Sequence, residues 1–436
     1  MTNLSVALRT IEADLDTNLA LIGWTQTGYL VIQIVMFPAV GKLGDIFGRK
    51  RLYVGALLLY SIASFSAGLS PNVYALIACR VVQGMGGATF AVLAVGIISD
   101  AFGDKRQTPL GMTASLHHLG AVIGPNVGGA IIDHLSWRWI FFVNAPVGLA
   151  LVVASLRLIP ARAEQQSRQP IDRTGLLFFG AGMVMTLLGL TQWAQHPDDT
   201  TSLSIWLLVG AGLASTILFI RHVRVAPSPL IDLNLLRGRA SLSAIMINFS
   251  LGFGVTAVSF FIPYYTALSY GLSAAQTALI LTPRSIAAMI VMPIASMLQA
   301  RFGYRRPIIL GLIFLGLSPI LLSLGLHDVS VFGLRIHNVT LLSIECVILG
   351  IGIAIVTPAS QNAVFDAHPG TRINSVAGLR AMFTQLGSVF GNTTVVLALS
   401  HFSDQEKGFE VMFFVMAMVL LSAIPLGLMV QERKRK

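Results

Sequence analysis

The chain has 436 residues, 55% hydrophobic and 11% charged, with a formal net charge of +10, where a soluble chain carries about 25% charged residues. With a mean hydropathy of +0.77, the composition excludes an ordinary soluble domain and implies a polytopic membrane protein built from helical spans, an all-α fold. The basic excess does not point to nucleic acid, because Lys and Arg fall in connections between apolar runs rather than on one face; anionic lipid headgroups are the expected partner.

Residues 1–19 are too polar and too few to span a bilayer, which takes about 20 mostly apolar residues. Spans are expected at 20–40, 52–70, 73–99, 109–132, 137–158, 174–194, 203–221, 241–267, 274–299, 307–326, 338–363, 374–400 and 409–430, thirteen in all. Lys42, Arg49, Lys50, Arg51, Lys105, Arg106, Arg301, Arg305, Arg306 and the tail Arg433 to Lys436 fall on one side, whereas Arg9, Arg138, Arg335 and Lys407 fall on the other. This bias places the C-terminus in the cytoplasm of a cell membrane. Cys79 and Cys346 both lie inside expected spans, so neither a disulfide framework nor a metal site is supported, and no cofactor is expected. No cleavable signal peptide is visible.

Two polar connections, 161–173 and 223–240, bracket a helix pair at 174–222 and separate an N-terminal block, 1–160, from a C-terminal block, 241–436. The blocks repeat. An offset of 255 pairs Leu43, Phe47, Gly48, Lys50 and Arg51 with Leu298, Phe302, Gly303, Arg305 and Arg306; an offset of 266 pairs Gly84, Gly86 and Ala88 with Gly350, Gly352 and Ala354; 267 pairs Gly111, Ala114, Gly120 and Gly124 with Gly378, Ala381, Gly387 and Gly391. Two homologous helical units facing each other form the repeat plan of secondary transporters, with a site near the membrane midplane. Residues 174–222 are then an insertion between them.

Four stretches carry candidate chemistry. The segment Gly41 to Arg51 reads as a basic turn in which Gly41, Gly44 and Gly48 permit sharp turning and Asp45 can face a helix N-terminus or an Arg; Asp100 is placed to reach Arg49. In Arg80-Val81-Val82-Gln83-Gly84-Met85-Gly86-Gly87, a 100° step puts Arg80, Gln83, Gly84 and Gly87 on one face, so Arg80 either snorkels to the outer surface or faces a packed interior. Gly120, Gly124 and Gly128, with Gly129, form a small stripe for close helix packing, and Pro125 kinks the helix; His117 on that face is either a packing residue or a titrating one. Glu345, about seven residues inside its span, is the chief embedded carboxylate, with Asp133 at a helix end. It is either paired to an Arg or takes up and releases protons as access alternates. Arg80 and Glu345 are expected to face each other's half, and Gln83, Arg284 and Arg380 are cavity candidates. No His, Ser, Cys and carboxylate constellation recurs on one membrane face, which disfavours a membrane-embedded enzyme.

Gly-x-Leu-x-Asp-x-x-Gly-Arg-Lys-Arg at 41–51 resembles the loop signature of the major facilitator superfamily. Gly120-x-x-x-Gly-Pro-x-x-Gly-Gly resembles its antiporter motif, and the string Trp137-Arg138-Trp139-Ile140-Phe141-Phe142-Val143-Asn144-Ala145-Pro146-Val147-Gly148, with the inserted pair, resembles the fourteen-span drug:proton antiporters. Thr282-Pro283-Arg284 and Arg380 with Gly387 and Gly391 also look like family positions. The resemblance implies two pseudo-symmetric six-helix bundles plus two inserted helices, a proton-coupling role for Arg80, and export of amphiphilic drugs driven by a proton gradient rather than a cofactor. A non-drug substrate such as a metabolite or siderophore, or a transport-inactive protein, is the alternative. The chain departs from the pattern at its start: Val6-Ala7-Leu8 is followed by Arg9, the family's first-span Asp is absent, and residues 4–15 look like the outer end of a largely missing first helix. Roughly 10–25 residues upstream of Met1 are therefore expected, enough to complete a span.

Overall fold

The computed structural model describes residues 10–11, 13–17, 19–106, 108–113, 116, 119–120, 123–124, 127, 131, 135–160, 172–195, 202–272, 274–327, 330–331, 334–335, 337–368 and 373–430. A bilayer offers no partner to an exposed peptide group, so apolar runs of this length satisfy their N–H and C=O groups internally as helices. Those used below are α1 (Leu19–Phe47), α2 (Arg49–Gly68), α3 (Val73–Phe102), α4 (Asn144–Leu158), the inserted pair α5 (Arg173–Gln195) and α6 (Leu203–Val225), then α7 (Arg239–Leu251), α8 (Ala257–Tyr270), α9 (Ala274–Phe302), α10 (Arg305–Ser323), α11 (Asn338–Asp366), α12 (Ile373–Leu399) and α13 (Gln405–Ser422). A π-turn, Gly252–Thr256, joins α7 to α8, and a two-residue pairing, Ser330–Val331 with Leu334–Arg335, lies between α10 and α11. Among the described residues twelve helical stretches are long and apolar enough to cross a membrane. They match twelve of the thirteen expected spans; the other, 109–132, falls largely outside the described residues.

The segment at 41–51 is not the open turn that its glycines suggest. Helix α1 continues through Gly41 and Gly44 to Phe47, and the chain reverses at Gly48 alone, whose φ of +85° an L side chain rarely adopts, before α2 begins at Arg49. The repeat reproduces this: α9 ends at Phe302, Gly303 has φ +72°, and α10 begins at Arg305. Equivalent glycines make equivalent crossings. A Cβ on Gly86 would sit 2.8 Å from the Ala56 carbonyl of α2, and one on Gly352 would sit 2.9 Å from the Leu315 nitrogen of α10. A Cβ on Gly84 would sit 2.8 Å from the Tyr29 carbonyl of α1, and one on Gly350 would strike the Arg284 carbonyl of α9. Small residues at such crossings let backbones approach where hydrophobic burial does not distinguish protein from lipid.

The two blocks grip each other reciprocally. Gly378 on α12 abuts the Phe37 carbonyl of α1, and its repeat partner Gly111 abuts Ser296 on α9. Both contacts lie toward the basic face, the end that carries Arg49, Lys50, Arg106, Arg301 and Arg305. By contrast Gly120 is exposed, and a Cβ there would meet nothing within 4 Å among the described residues. Its counterpart Gly387 does make such a contact, against Phe249 where α7 enters the π-turn. A π-turn widens the helix locally and often marks a functional position.

The inserted pair is a tight hairpin. A Cβ on Gly182 would lie 2.8 Å from Thr216 Oγ1, and Ser215 Oγ donates to the Phe178 carbonyl at 2.9 Å. Its basic end is tied by Asp172, which accepts from the backbone N–H of Gly175 (2.7 Å) and Leu230 (2.9 Å) and lies 2.7 Å from His222 Nε2. Burial works to raise the Asp172 carboxyl, but these donors outweigh it and hold it below the usual carboxylate range. The stabilisation is therefore present above about pH 4, the unfolded value, and is lost as pH falls through the lower folded one. Asp172→Asn is expected to cost about 1–3 kcal/mol at pH 7, and less below pH 4, as read by thermal unfolding in detergent.

Candidate functional site

Arg80 turns inward on its own half rather than snorkelling or facing the other block. It is 5% exposed, and its Nη1 donates to Gln83 Oε1 at 2.6 Å, its Nε to the Thr25 carbonyl at 3.2 Å and its Nη2 to Gln26 Oε1 at 3.3 Å. The guanidinium lies 4.3 Å from the centre of the Tyr29 ring, a cation–π contact, and Gln83 Nε2 passes the network on to Ser64 Oγ of α2. The glycine face on α3 brings α1 near enough for all of this: a Cβ on Gly87 would sit 2.7 Å from Tyr29 Oη. The charge at Arg80 is thus met by carbonyl-type oxygens and a π face.

The C-terminal half is arranged differently. Glu345 is 2% exposed and its Oε2 has no hydrogen-bond partner among the described residues, so it is not the carboxylate of a standing Arg pair there. An ionised carboxylate held in such surroundings costs several kcal/mol unless paired or neutralised by a proton. Tyr270 lies within electrostatic reach of Glu345 and stacks on His327 with ring centres 4.3 Å apart. Arg284, half-buried on α9, lies near the buried thiol of Cys346. Arg380 on α12 reaches Asn248 Oδ1 through Nη1 at 3.4 Å, while its Nε has no partner among the described residues. Two turns further along α12, Ser388 shares a hydrogen bond of 2.9 Å with Thr256 of the π-turn.

At the basic face Arg49 Nη1 bonds to Asp100 Oδ2, joining α2 to the end of α3. Gly41 lies so close to α12 that a Cβ would be 2.7 Å from Ser375 Cα, and Lys42 Nζ donates to the Ser228 carbonyl at 2.9 Å. Arg106 Nη2 meets Asp366 Oδ1 at 3.1 Å across the two halves, and Tyr304 Oη donates to the other oxygen at 2.5 Å. No sequence motif pointed to the Arg106–Asp366 pair, since the two residues sit at ordinary helix ends. Both partners are a quarter to a third exposed, so the pair is worth about 0.5–1 kcal/mol. Arg106→Ala should accordingly raise the labelling rate of a cysteine at Ser375 about two- to fivefold, measured with a water-soluble thiol reagent. His117, Pro125, Gly128, Gly129 and Asp133 lie outside the described residues, as does the side chain of Asp45; Gly124 is described and helical.

The sequence profile of the Major Facilitator Superfamily matches residues 1–221 and 244–436. The chain is 28% identical to the multidrug transporter protein MdtP of Bacillus subtilis (strain 168) over 90% of this chain and 71% of that protein. It is 32% identical to a multidrug resistance protein B homolog of Mycobacterium tuberculosis (strain CDC 1551 / Oshkosh) over 72% of this chain and 58% of that one, and 27% identical to the riboflavin transporter RibZ of Clostridioides difficile (strain 630) over 91% and 85%. Among solved structures, the human organic anion transporter MFSD10 shares the fold, with a TM-score of 0.67 over 98% of this chain and 89% of that chain at 15% identity. Two blocks with the same glycine crossings, a reciprocal grip at the basic face and a profile match across nearly the whole chain lead to one assignment: the chain belongs to the major facilitator superfamily.

Proposed function

We propose that the chain is a secondary transporter that exports amphiphilic small molecules across the cell membrane in exchange for protons, on the fourteen-span plan, with residues 109–132 as a further span beside the twelve described. The observation that carries this reading is Glu345, a deeply buried carboxylate with one oxygen that has no partner among the described residues. A proton neutralises it in one state of the cycle and is released in the other, so its occupancy can be tied to which side the cavity faces. The multidrug relatives support an amphiphilic substrate. The riboflavin transporter among the relatives favours, as a second reading, a metabolite rather than a drug.

Orientation follows from charge: the basic face is cytoplasmic. A membrane-impermeant thiol reagent is expected to leave Gln166→Cys unlabelled in intact cells and to label Asp198→Cys; the reverse pattern would overturn the orientation. The coupling itself is tested with the purified chain in proteoliposomes. An imposed pH gradient should drive uphill accumulation of a fluorescent amphiphile, and a protonophore should abolish it. Accumulation indifferent to the protonophore would remove the antiport reading.

A further inference from the structure

Glu345 is approached by a file of polar side chains from the face opposite the basic one. On α11, residues 345, 352 and 356 fall within about 40° of one another at 3.6 residues per turn, and the latter two both meet α10: Val356 at Gly311 and Gly352 at Leu315. Four residues back along α11 is thus four residues on along α10. Carried seven residues further, this antiparallel register sets Glu345 level with Leu322, about 10 Å inside the N-terminal end of α11.

At that level Tyr265 of α8 donates its Oη to the Leu322 carbonyl at 3.5 Å. Its ring meets that of Tyr270 edge-on, with centres 5.7 Å apart, and the two hydroxyls lie close enough to interact. Tyr270 donates to the Leu326 carbonyl at 3.1 Å, four residues further out, and lies within electrostatic reach of Glu345, Glu406 and Glu410. On its ring stacks His327, whose Nε2 is 3.7 Å from Glu406 Oε1. Glu410, one turn along α13, sets its carboxylate against Gly325, and Asp404 adds a further acid beside Lys407 Nζ at 3.8 Å. Exposure falls inward along the file, from 44% and 43% for the side chains of His327 and Glu406, through half-buried Tyr270, to 0% for Tyr265 and 2% for Glu345. A tyrosine of an interfacial belt keeps its hydroxyl among headgroups; Tyr265 is sealed from them. Under the offsets given above, Glu345, Tyr265, Tyr270 and His327 correspond to Cys79, Thr10, Leu15 and Asn72. The file therefore belongs to the half that carries the carboxylate, not to the repeat.

We infer that Tyr270 and Tyr265 pass protons to Glu345 from the face opposite the basic one, with His327, Glu406 and Glu410 as the mouth that gathers them. This rests on the exchange reading above and names the route by which its carboxylate is loaded. Carboxylates of one sign at a mouth raise the local concentration of cations. Each hydroxyl inward of it takes a proton on an oxygen lone pair and gives up its own, so both phenols end neutral and Glu345 ends as the acid. The test uses the full chain in proteoliposomes with rhodamine 6G and two variants: Tyr270→Phe, which keeps the ring on His327 and removes only the hydroxyl, and His327→Gln. Two rates are read for each, accumulation driven by an imposed pH gradient and counterflow of the dye without one, in which no proton need cross. Tyr270→Phe should slow driven accumulation by about tenfold or more while counterflow stays within about twofold of the wild type, and His327→Gln should move the same rate in the same direction by less. If both variants accumulate the dye at the wild-type rate, or if driven uptake and counterflow fall together, the file is structural and the route is wrong, while wild-type accumulation keeps the export reading. If the wild type does not accumulate the dye, both fall.

Discussion

Glu345→Gln abolishes uphill transport while leaving downhill exchange of the substrate in place. The amide has nearly the shape of the carboxylic acid, so the variant mimics a permanently neutral state and should fold and bind. What it removes is the proton that must leave for the cycle to be driven. One proton crossing roughly 150 mV releases about 3.5 kcal/mol, equivalent to a gradient of a few hundredfold for a neutral substrate. The accumulation ratio in proteoliposomes should therefore collapse from up to that value to unity. Retained accumulation would move the coupling away from Glu345, with Asp133 and His117 the next candidates.

Gly378→Leu has the second largest effect, and it acts through the switch between states. A side chain at this position runs into the Phe37 carbonyl, a backbone atom that cannot rotate aside. The halves must part at the basic face. Overpacking of this kind costs about 1–3 kcal/mol or more, which disfavours the state closed at the basic face by roughly 5- to 150-fold and slows turnover in proportion. Gly111→Leu meets Ser296 Oγ, which can rotate aside, but also Ser296 Cβ at 2.7 Å, which cannot, so it should impair turnover in the same direction. Substrate counterflow measured for both variants at matched expression checks this. Equal rates for Gly378→Leu and the wild type, or loss of insertion, would contradict a role in switching.

The repeat was the most legible feature of the sequence, because glycines needed for backbone approach recur in register with the helices that they meet: Gly48 with Gly303, Gly84 with Gly350, Gly86 with Gly352. Less legible was the continuation of α1 through Gly41 and Gly44. Gly41 serves the close approach to Ser375 rather than a turn, and glycine permissiveness looks the same in either use. The direction in which Arg80 points also depended on tertiary partners, since Thr25 contributes only its carbonyl. The contact of Gly387 was not legible from the spacing of small residues alone, because the π-turn that receives it depends on how Gly252 fits against α12 and Gly254 against Leu420 of α13.

The most direct test of proton exchange is to watch the proton itself. Proteoliposomes containing the full chain, with a pH-sensitive dye trapped inside, equal pH on both sides and the potential clamped by valinomycin and potassium, are given substrate outside. The account predicts that the lumen becomes more alkaline as substrate enters and protons leave, and that Glu345→Gln vesicles stay flat while still taking up substrate. Substrate entry into wild-type vesicles with no change of internal pH would contradict it.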